Sequence, residues 1–323
     1  MTNPKSYIYA GLLLSGLLVL ASACGGKTDK RGGRTDTPTS GTISFVSDES
    51  FSPIIQAEIE QFQFKFPRTH LKPIYTDEYT GFNMIKNLKT CLFITSRALK
   101  PSEIAYLKSK RQLPEVFPIG YDGLAFLVNK NNNDTCITVK DIKRILSGEA
   151  KDWGDIYPKS AKRGKIEVVF DNARGTTLQY AVDSILEGRQ ITSANIVAAK
   201  SSKAVIDYVD QTENAIGVIG SNWLNDRNDT TNTTFKKNIH VMQVTRLDEA
   251  TEMNSWKPYQ AYLLDGRYPF VRTIYAIVVD PQKALPWSFA NYLTSPQGQL
   301  IIFKAGLLPY RGDIMIKSVS VKN

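Results

Sequence analysis

Phe170-Asp171-Asn172-Ala173-Arg174-Gly175-Thr176-Thr177-Leu178 is the stretch on which the fold turns. Before it, Ile166 to Phe170 is a short apolar run of strand type. After it, Leu178, Ala181, Val182, Ile185 and Leu186 recur with a helical period that stops at Gly188. A strand that leaves through a hydroxyl-rich turn into an amphipathic helix is one unit of an α/β fold. The unit recurs upstream. Thr42 to Val46 reads as a strand, Ser47-Asp48-Glu49-Ser50-Phe51 as its exit loop, and Ser52-Pro53 as a helix start with Ser at N-cap and Pro at N1. Ile55, Ile59, Phe62 and Phe66 supply that helix's apolar stripe, and Pro67 ends it. Leu92 to Ile94 and Gly123 to Val128 are further strands. A helix spans about residues 103–110, and another starts at Thr138, where Asp141 completes a capping-box pattern. Such alternation predicts largely parallel sheets.

The two exit loops share a chemistry. At a strand-to-helix turn the first backbone N–H groups are free and the helix dipole is positive, which suits an anion. Ser50, Ser52, Thr176 and Thr177 add hydroxyls, Gly175 allows close backbone approach, and Arg174 adds a forked cation. Taken singly, each loop is better explained by plain helix capping. Neither is a nucleotide P-loop, because the Gly-x-x-x-x-Gly-Lys-Ser/Thr pattern is missing. Arg97, after the Leu92–Ile94 strand, is a second cation for the same purpose or one half of an ordinary ion pair.

Composition narrows the class. The chain has 323 residues, 42% apolar and 22% charged, with a net charge of +9. That is globular, long enough for about two lobes, and biased toward an anionic partner. His70 and His240 are the only histidines, and Cys24, Cys91 and Cys136 are too dispersed for a CxxC motif, so no metal or other cofactor is expected. No nucleophile–base–orienter set can be named, so the chain reads as a binder rather than an enzyme. The positive charge is scattered without a basic–aromatic motif, which argues against nucleic acid.

The N-terminus sets the compartment. Lys5, the apolar run from Ile8 to Ala21, and Ala21-Ser22-Ala23 before Cys24 read as a secretory signal peptide over residues 1–23. Cys24 stands where a bacterial lipoprotein carries its lipid, which places the body outside the cytoplasmic membrane and anchors it there. Residues 25–40 contain no apolar side chain and read as a flexible tether with a reach of about 22 Å. Cys91 and Cys136 are left, and their spacing does not decide whether they pair in an oxidising envelope.

The ordered set of segments resembles the phosphate-binding proteins of ABC importers (PstS-like) from about Thr42 to Pro309. It comprises the Ser50-Phe51 loop, Thr95-Ser96-Arg97, Tyr121-Asp122-Gly123-Leu124-Ala125, Ile137-Thr138 through Gly148 to Trp153, and Arg174-Gly175-Thr176-Thr177. Ala215-Ile216-Gly217-Val218, Tyr268-Pro269, Ser295-Pro296-Gln297-Gly298-Gln299 and Lys304 to Pro309 follow in order. The resemblance implies a two-lobed periplasmic substrate-binding fold of type II, with two crossover strands near residues 120–124 and 269–275 and an interlobe cleft. Residues 41–120 with 275–323 would form lobe I, and residues 121–274 lobe II. It further implies a monomeric lipoprotein receptor that captures phosphate or a related tetrahedral oxyanion and hands it to an ABC permease.

Carried over residue by residue, the resemblance makes Ser50, Phe51, Thr80, Ser96, Arg97, Arg174, Gly175, Thr176 and Thr177 the ligand-binding set. Three positions depart from the family. Arg174 replaces a serine, Phe170 takes the place of the ligand-binding arginine, and Arg97 stands near the aspartate that accepts the proton of hydrogen phosphate. A more cationic, less proton-selective site is therefore expected. The departures also leave room for a non-transport envelope sensor or adhesion scaffold on the same fold.

Overall fold

Strand β1 (Gly41–Asp48) shows how the first half of the molecule is built: Ile43 and Phe45 face one core while Val46 faces another, so both sides of the sheet are covered. The computed structural model describes residues 34–192, 194–224 and 238–312. The expected signal peptide, Cys24 and most of the expected tether lie outside the described residues. The end of the expected tether is folded, since Leu285 donates its N–H to the Asp36 carboxylate and Thr37 bridges Ser40.

A tight turn at Glu49–Phe51 follows β1 and leads into α1 (Ser52–Lys65). Asp48, not Ser52, is the capping side chain here, because the turn begins three residues before the helix proper and Asp48 accepts the Ser50 N–H. Then come β2 (Thr69–Thr76), α2 (Glu78–Lys86), β3 (Leu92–Thr95), α3 (Pro101–Ser109) and β4 (Glu115–Asn129). Next are β5 (Cys136–Thr138), α4 (Val139–Leu146), α5 (Trp153–Ile156), β6 (Glu167–Phe170), α6 (Thr176–Tyr180), β7 (Ile196–Ala198) and α7 (Ser202–Gln211). The chain continues through β8 (Ala215–Gly220), β9 (Ile239–Val241), β10 (Gln243–Thr245), α8 (Gln260–Leu264), β11 (Val271–Val278), α9 (Leu285–Leu293), α10 (Pro296–Lys304) and β12 (Leu308–Pro309). The helix expected from Leu178 to Leu186 is α only to Tyr180. Ala181–Ile185 is a wider π turn, closed by Leu186 N–H on the Ala181 carbonyl.

The main sheet runs β2-β1-β3-β11-β4-β8-β6-β7. Parallel pairing holds at both ends, as strand–helix units require, but β11 runs antiparallel to both β3 and β4, and β4 antiparallel to β8. The sheet is therefore mixed, because β4 and β11 carry the chain between its two halves in opposite directions. Ile119 and Ile274 belong to the core of the first half, Leu124 and Phe270 to that of the second. Among the described residues no helix is long and apolar enough to cross a membrane. Cys91 and Cys136 remain thiols.

The first core contains a buried acid. Glu58 of α1 is fully buried, neither carboxylate oxygen has a hydrogen-bond partner, and burial pushes its carboxyl up to about 9. The folded state thus keeps a proton that the unfolded chain releases near 4.5. Its contribution is fully present below pH 4.5 and is lost as pH rises through about 9. In that window Glu58 makes stability fall by about 1.4 kcal/mol per pH unit. Glu58→Met should remove the slope and raise the melting temperature most at pH 8–9, as thermal denaturation across pH will show. An unchanged pH profile would place the Glu58 carboxyl in contact with water.

Candidate functional site

Arg272 and Asp122 are cross-strand partners in the β11–β4 ladder, where the chain passes between the two halves. Both are buried, at 2% and 0% exposure. Arg272 donates Nε and Nη2 to Asp122 Oδ2 at 2.9 and 2.7 Å, while the Ser221 hydroxyl donates to Oδ1 at 2.7 Å. The guanidinium lies 4.6 Å from the centre of the Phe51 ring. Gly220 leaves room for the pair: a Cβ there would sit 2.6 Å from Asp122 Oδ2 and 2.7 Å from Arg272 Nη2.

The remaining guanidinium hydrogens point at the two hydroxyl loops. Nη1 donates to Thr176 Oγ1 at 2.8 Å and Nη2 to Ser50 Oγ at 3.2 Å. Ser50 Oγ and Thr176 Oγ1 are themselves 3.1 Å apart, although 126 residues separate them in the chain. Asp48 completes the cluster. Its Oδ1 accepts from the Ser50 N–H, the Ser50 hydroxyl and the Thr176 hydroxyl at 2.9, 2.6 and 3.0 Å. Thr177 donates its hydroxyl to Asp171 from the same turn. Around these contacts, Glu49 accepts from the Ser202 N–H and hydroxyl at the start of α7, and the Ser50 carbonyl accepts from the Asn222 amide and the Trp223 indole. Side chains from both halves thus close over one buried, donor-rich point.

The electrostatics follow from burial. Asp48, Asp122 and Asp171 surround a single guanidinium, and all are withdrawn from water. Burial raises the Asp48 carboxyl against the opposing pull of its Ser50 bonds and the Arg272 charge. Asp171 is pushed up to about 7, first by burial and then by the neighbouring Asp48 charge. Burial likewise raises Glu49, despite its bonds from Ser202. The cluster therefore offers hydroxyl, guanidinium and backbone N–H groups, with one carboxyl, that of Asp171, able to carry a proton near neutrality. That set matches an oxyanion bringing an ionisable hydroxyl of its own.

The structure brings Ser50, Phe51, Gly175, Thr176 and Thr177 together here. It places the other candidates elsewhere. Arg97 is held by Glu78 at 2.9 Å and by both oxygens of Glu103 at 2.9 and 3.0 Å, and stacks 3.5 Å from the centre of the Phe82 ring. Its donors are consumed by carboxylates, so it adds no unneutralised charge to the cluster. Ser96 lies beside it on the wall of a cavity of about 280 Å³ that also reaches Arg272. Thr80 caps α2 with Asp77, its N–H and hydroxyl each 2.9 Å from that carboxylate. Arg174 is exposed and lies 5.5 Å from the centre of the Tyr79 ring. Phe170 is fully buried in the core of the second half, where it cannot face an anion.

Arg272, Asp122, Asp48 and Asp171 were not among the sequence candidates. A usable signal existed for the first: Arg272 shares strand parity with Ile274, Ala276 and Val278, all buried. A cation on the inward face of a strand needs a buried partner, and Asp122 is directly opposite.

Two α/β halves joined by antiparallel crossovers, with donors converging between them, define a two-lobed periplasmic binding protein. The chain belongs to the PBP superfamily, whose domain spans residues 32–297. Phosphate-binding protein PstS of Staphylococcus saprophyticus is 24% identical over 274 residues, covering 84% of this chain and 79% of the relative. PstS of Pseudomonas aeruginosa is 22% identical over 298 residues, covering 87% and 86%. In structure, a substrate-binding protein from Clostridium perfringens solved with bound phosphate superimposes with a TM-score of 0.67 at 21% identity, over 84% of this chain and all of its own. An ABC-type phosphate transport receptor from Vibrio cholerae gives 0.59 at 19% identity, over 83% of this chain and 100% of the receptor.

Proposed function

We propose that the protein is an extracytoplasmic solute-binding protein that captures phosphate, or a related tetrahedral oxyanion, for an ABC importer. One observation carries the reading: Arg272 from the crossover and the Ser50 and Thr176 hydroxyls from the two loops converge on one buried point, where Arg272 donates to both hydroxyls. Among the described residues, 41–120 with 275–312 form one lobe and those within 121–274 the other; the rest of the expected spans lies outside the described residues. A hinge in the crossovers opens and closes them. An anion held by Ser50 on one side and Thr176 on the other stabilises the closed form, and release requires those bonds and the Glu49–Ser202 contact to part. The protein binds its solute unchanged, works as a monomer with a permease, and is tethered through a lipidated Cys24 after removal of residues 1–23.

Titration calorimetry of the purified protein with phosphate, arsenate and sulfate tests the reading. Phosphate and arsenate should bind with dissociation constants in or below the micromolar range, and sulfate more weakly at pH 7.5. Absence of heat with all three would overturn capture. It would favour an envelope sensor or adhesion scaffold, in which Asp48 permanently satisfies the donors that an anion would use.

A further inference from the structure

A second cavity lies beside the cleft mouth and is larger, about 710 Å³. Its walls are α4, the helical run ending at Ile185, and the segment entering β11, and Tyr180 and Ser184 border both this groove and the smaller cavity that reaches Arg272. Five cations line it, against one carboxylate, Glu149. Arg144 is neutralised by Asp141 and Glu149, and Lys143 by Glu187. Lys140, Arg189 and Arg246 form no carboxylate ion pair among the described residues, although Glu187, already bonded to Lys143, feels the Arg189 charge.

Two of those three are held in place by backbone. Arg189 donates Nε to the Leu186 carbonyl at 3.1 Å, and Arg246 donates to the carbonyls of Gly266, Arg267 and Pro269 at 2.9, 3.5 and 3.5 Å. A guanidinium anchored on carbonyls keeps its full charge and loses little freedom when an anion arrives. With Lys140, these two arginines place three cations around one groove. The volume lies in the range of sites for whole small molecules, beyond what one tetrahedral ion fills.

We propose that this groove binds an oligophosphate chain, bridging Lys140, Arg189 and Arg246 with successive phosphoryl groups. The site is separate from the cleft cluster and does not depend on what the cleft holds.

Calorimetry of the full protein with sodium tripolyphosphate, at low salt, tests it. Binding should be present in the wild type and weaken by about tenfold or more in a Lys140→Gln, Arg189→Gln, Arg246→Gln triple variant, while orthophosphate affinity stays unchanged. Arg272→Lys should show the reverse, losing orthophosphate and retaining tripolyphosphate, so that failure of the groove and failure of the cleft are read separately. ATP, as a second ligand, distinguishes sources: binding equal to tripolyphosphate points to nucleotides, and weaker binding to inorganic chains. No tripolyphosphate binding, or equal affinity in the triple variant, would overturn the proposal.

Discussion

Arg272→Lys should weaken phosphate binding by about 10- to 100-fold, while the protein stays folded. The lysine keeps the positive charge but has one compact ammonium in place of a planar fork. In the wild type that fork serves Asp122 through Nε and Nη2, and Thr176 and Ser50 through Nη1 and Nη2. A lysine can satisfy Asp122 or reach the hydroxyl loops, but not with the same alignment. Each hydrogen bond to a charged group is worth about 1.5–3 kcal/mol, so loss of one of them gives the stated range. Arg272→Ala is a harsher change. It leaves Asp122 buried with only the Ser221 hydroxyl and the Asn222 N–H, and should cost about 3–5 kcal/mol of stability as well as binding. The lysine variant is the informative one, since calorimetry on a protein of near-native melting temperature separates ligand loss from unfolding. Unchanged affinity in that variant would remove Arg272 from the site.

Asp48→Asn should change selectivity rather than abolish binding. Asparagine caps the Glu49–Phe51 turn nearly as well as aspartate, so the loop keeps its shape. What disappears is a buried carboxylate that repels a fully ionised anion and accepts a proton from a partly protonated one. Sulfate carries no proton at neutral pH and should gain about tenfold or more in affinity in the variant, while phosphate gains less or loses. In the wild type, sulfate binding should strengthen on acidification through about pH 7, where Asp171 takes up its proton and Asp48, also raised by burial, follows the same direction. Competition calorimetry from pH 6 to 8.5 measures both effects. A phosphate-to-sulfate ratio that is the same in variant and wild type would assign the discrimination to another group.

The residues involved explain why part of this was visible in the sequence. Ser50, Thr176 and Thr177 were legible because strand-to-helix turns rich in hydroxyls have few other uses than capping and anion contact. Asp48 lies in the same Ser47–Phe51 loop, where no local pattern gives its side chain a role. Only the turn at Glu49–Phe51, starting before the helix, makes its side chain the cap and turns it inward. Arg97 and Arg174 drew attention as the cations beside those loops. Yet sequence proximity does not fix which way a long side chain runs, and Glu78, Glu103 and Tyr79 claim them. Arg272 lay about a hundred residues from Thr176, in a strand read only as a crossover. Its role needed the β11–β4 register, a long-range pairing that no local pattern encodes.

The mixed sheet has the same origin. Each strand–helix unit was readable by itself and each is parallel to its neighbour, as β1 with β2 and β6 with β8. The antiparallel centre arises because two strands must pass between the halves. Burial in β4 is nearly continuous over its second half and in β11 alternates before its last three residues, and neither pattern distinguishes that direction.

Phase-resolved anomalous scattering from crystals grown with arsenate locates the anion itself. An arsenic peak within hydrogen-bonding reach of Arg272, Ser50 and Thr176 is the predicted result. A peak at Arg97 or Arg174, or none between the lobes, would contradict the assignment of the cleft cluster as the oxyanion site.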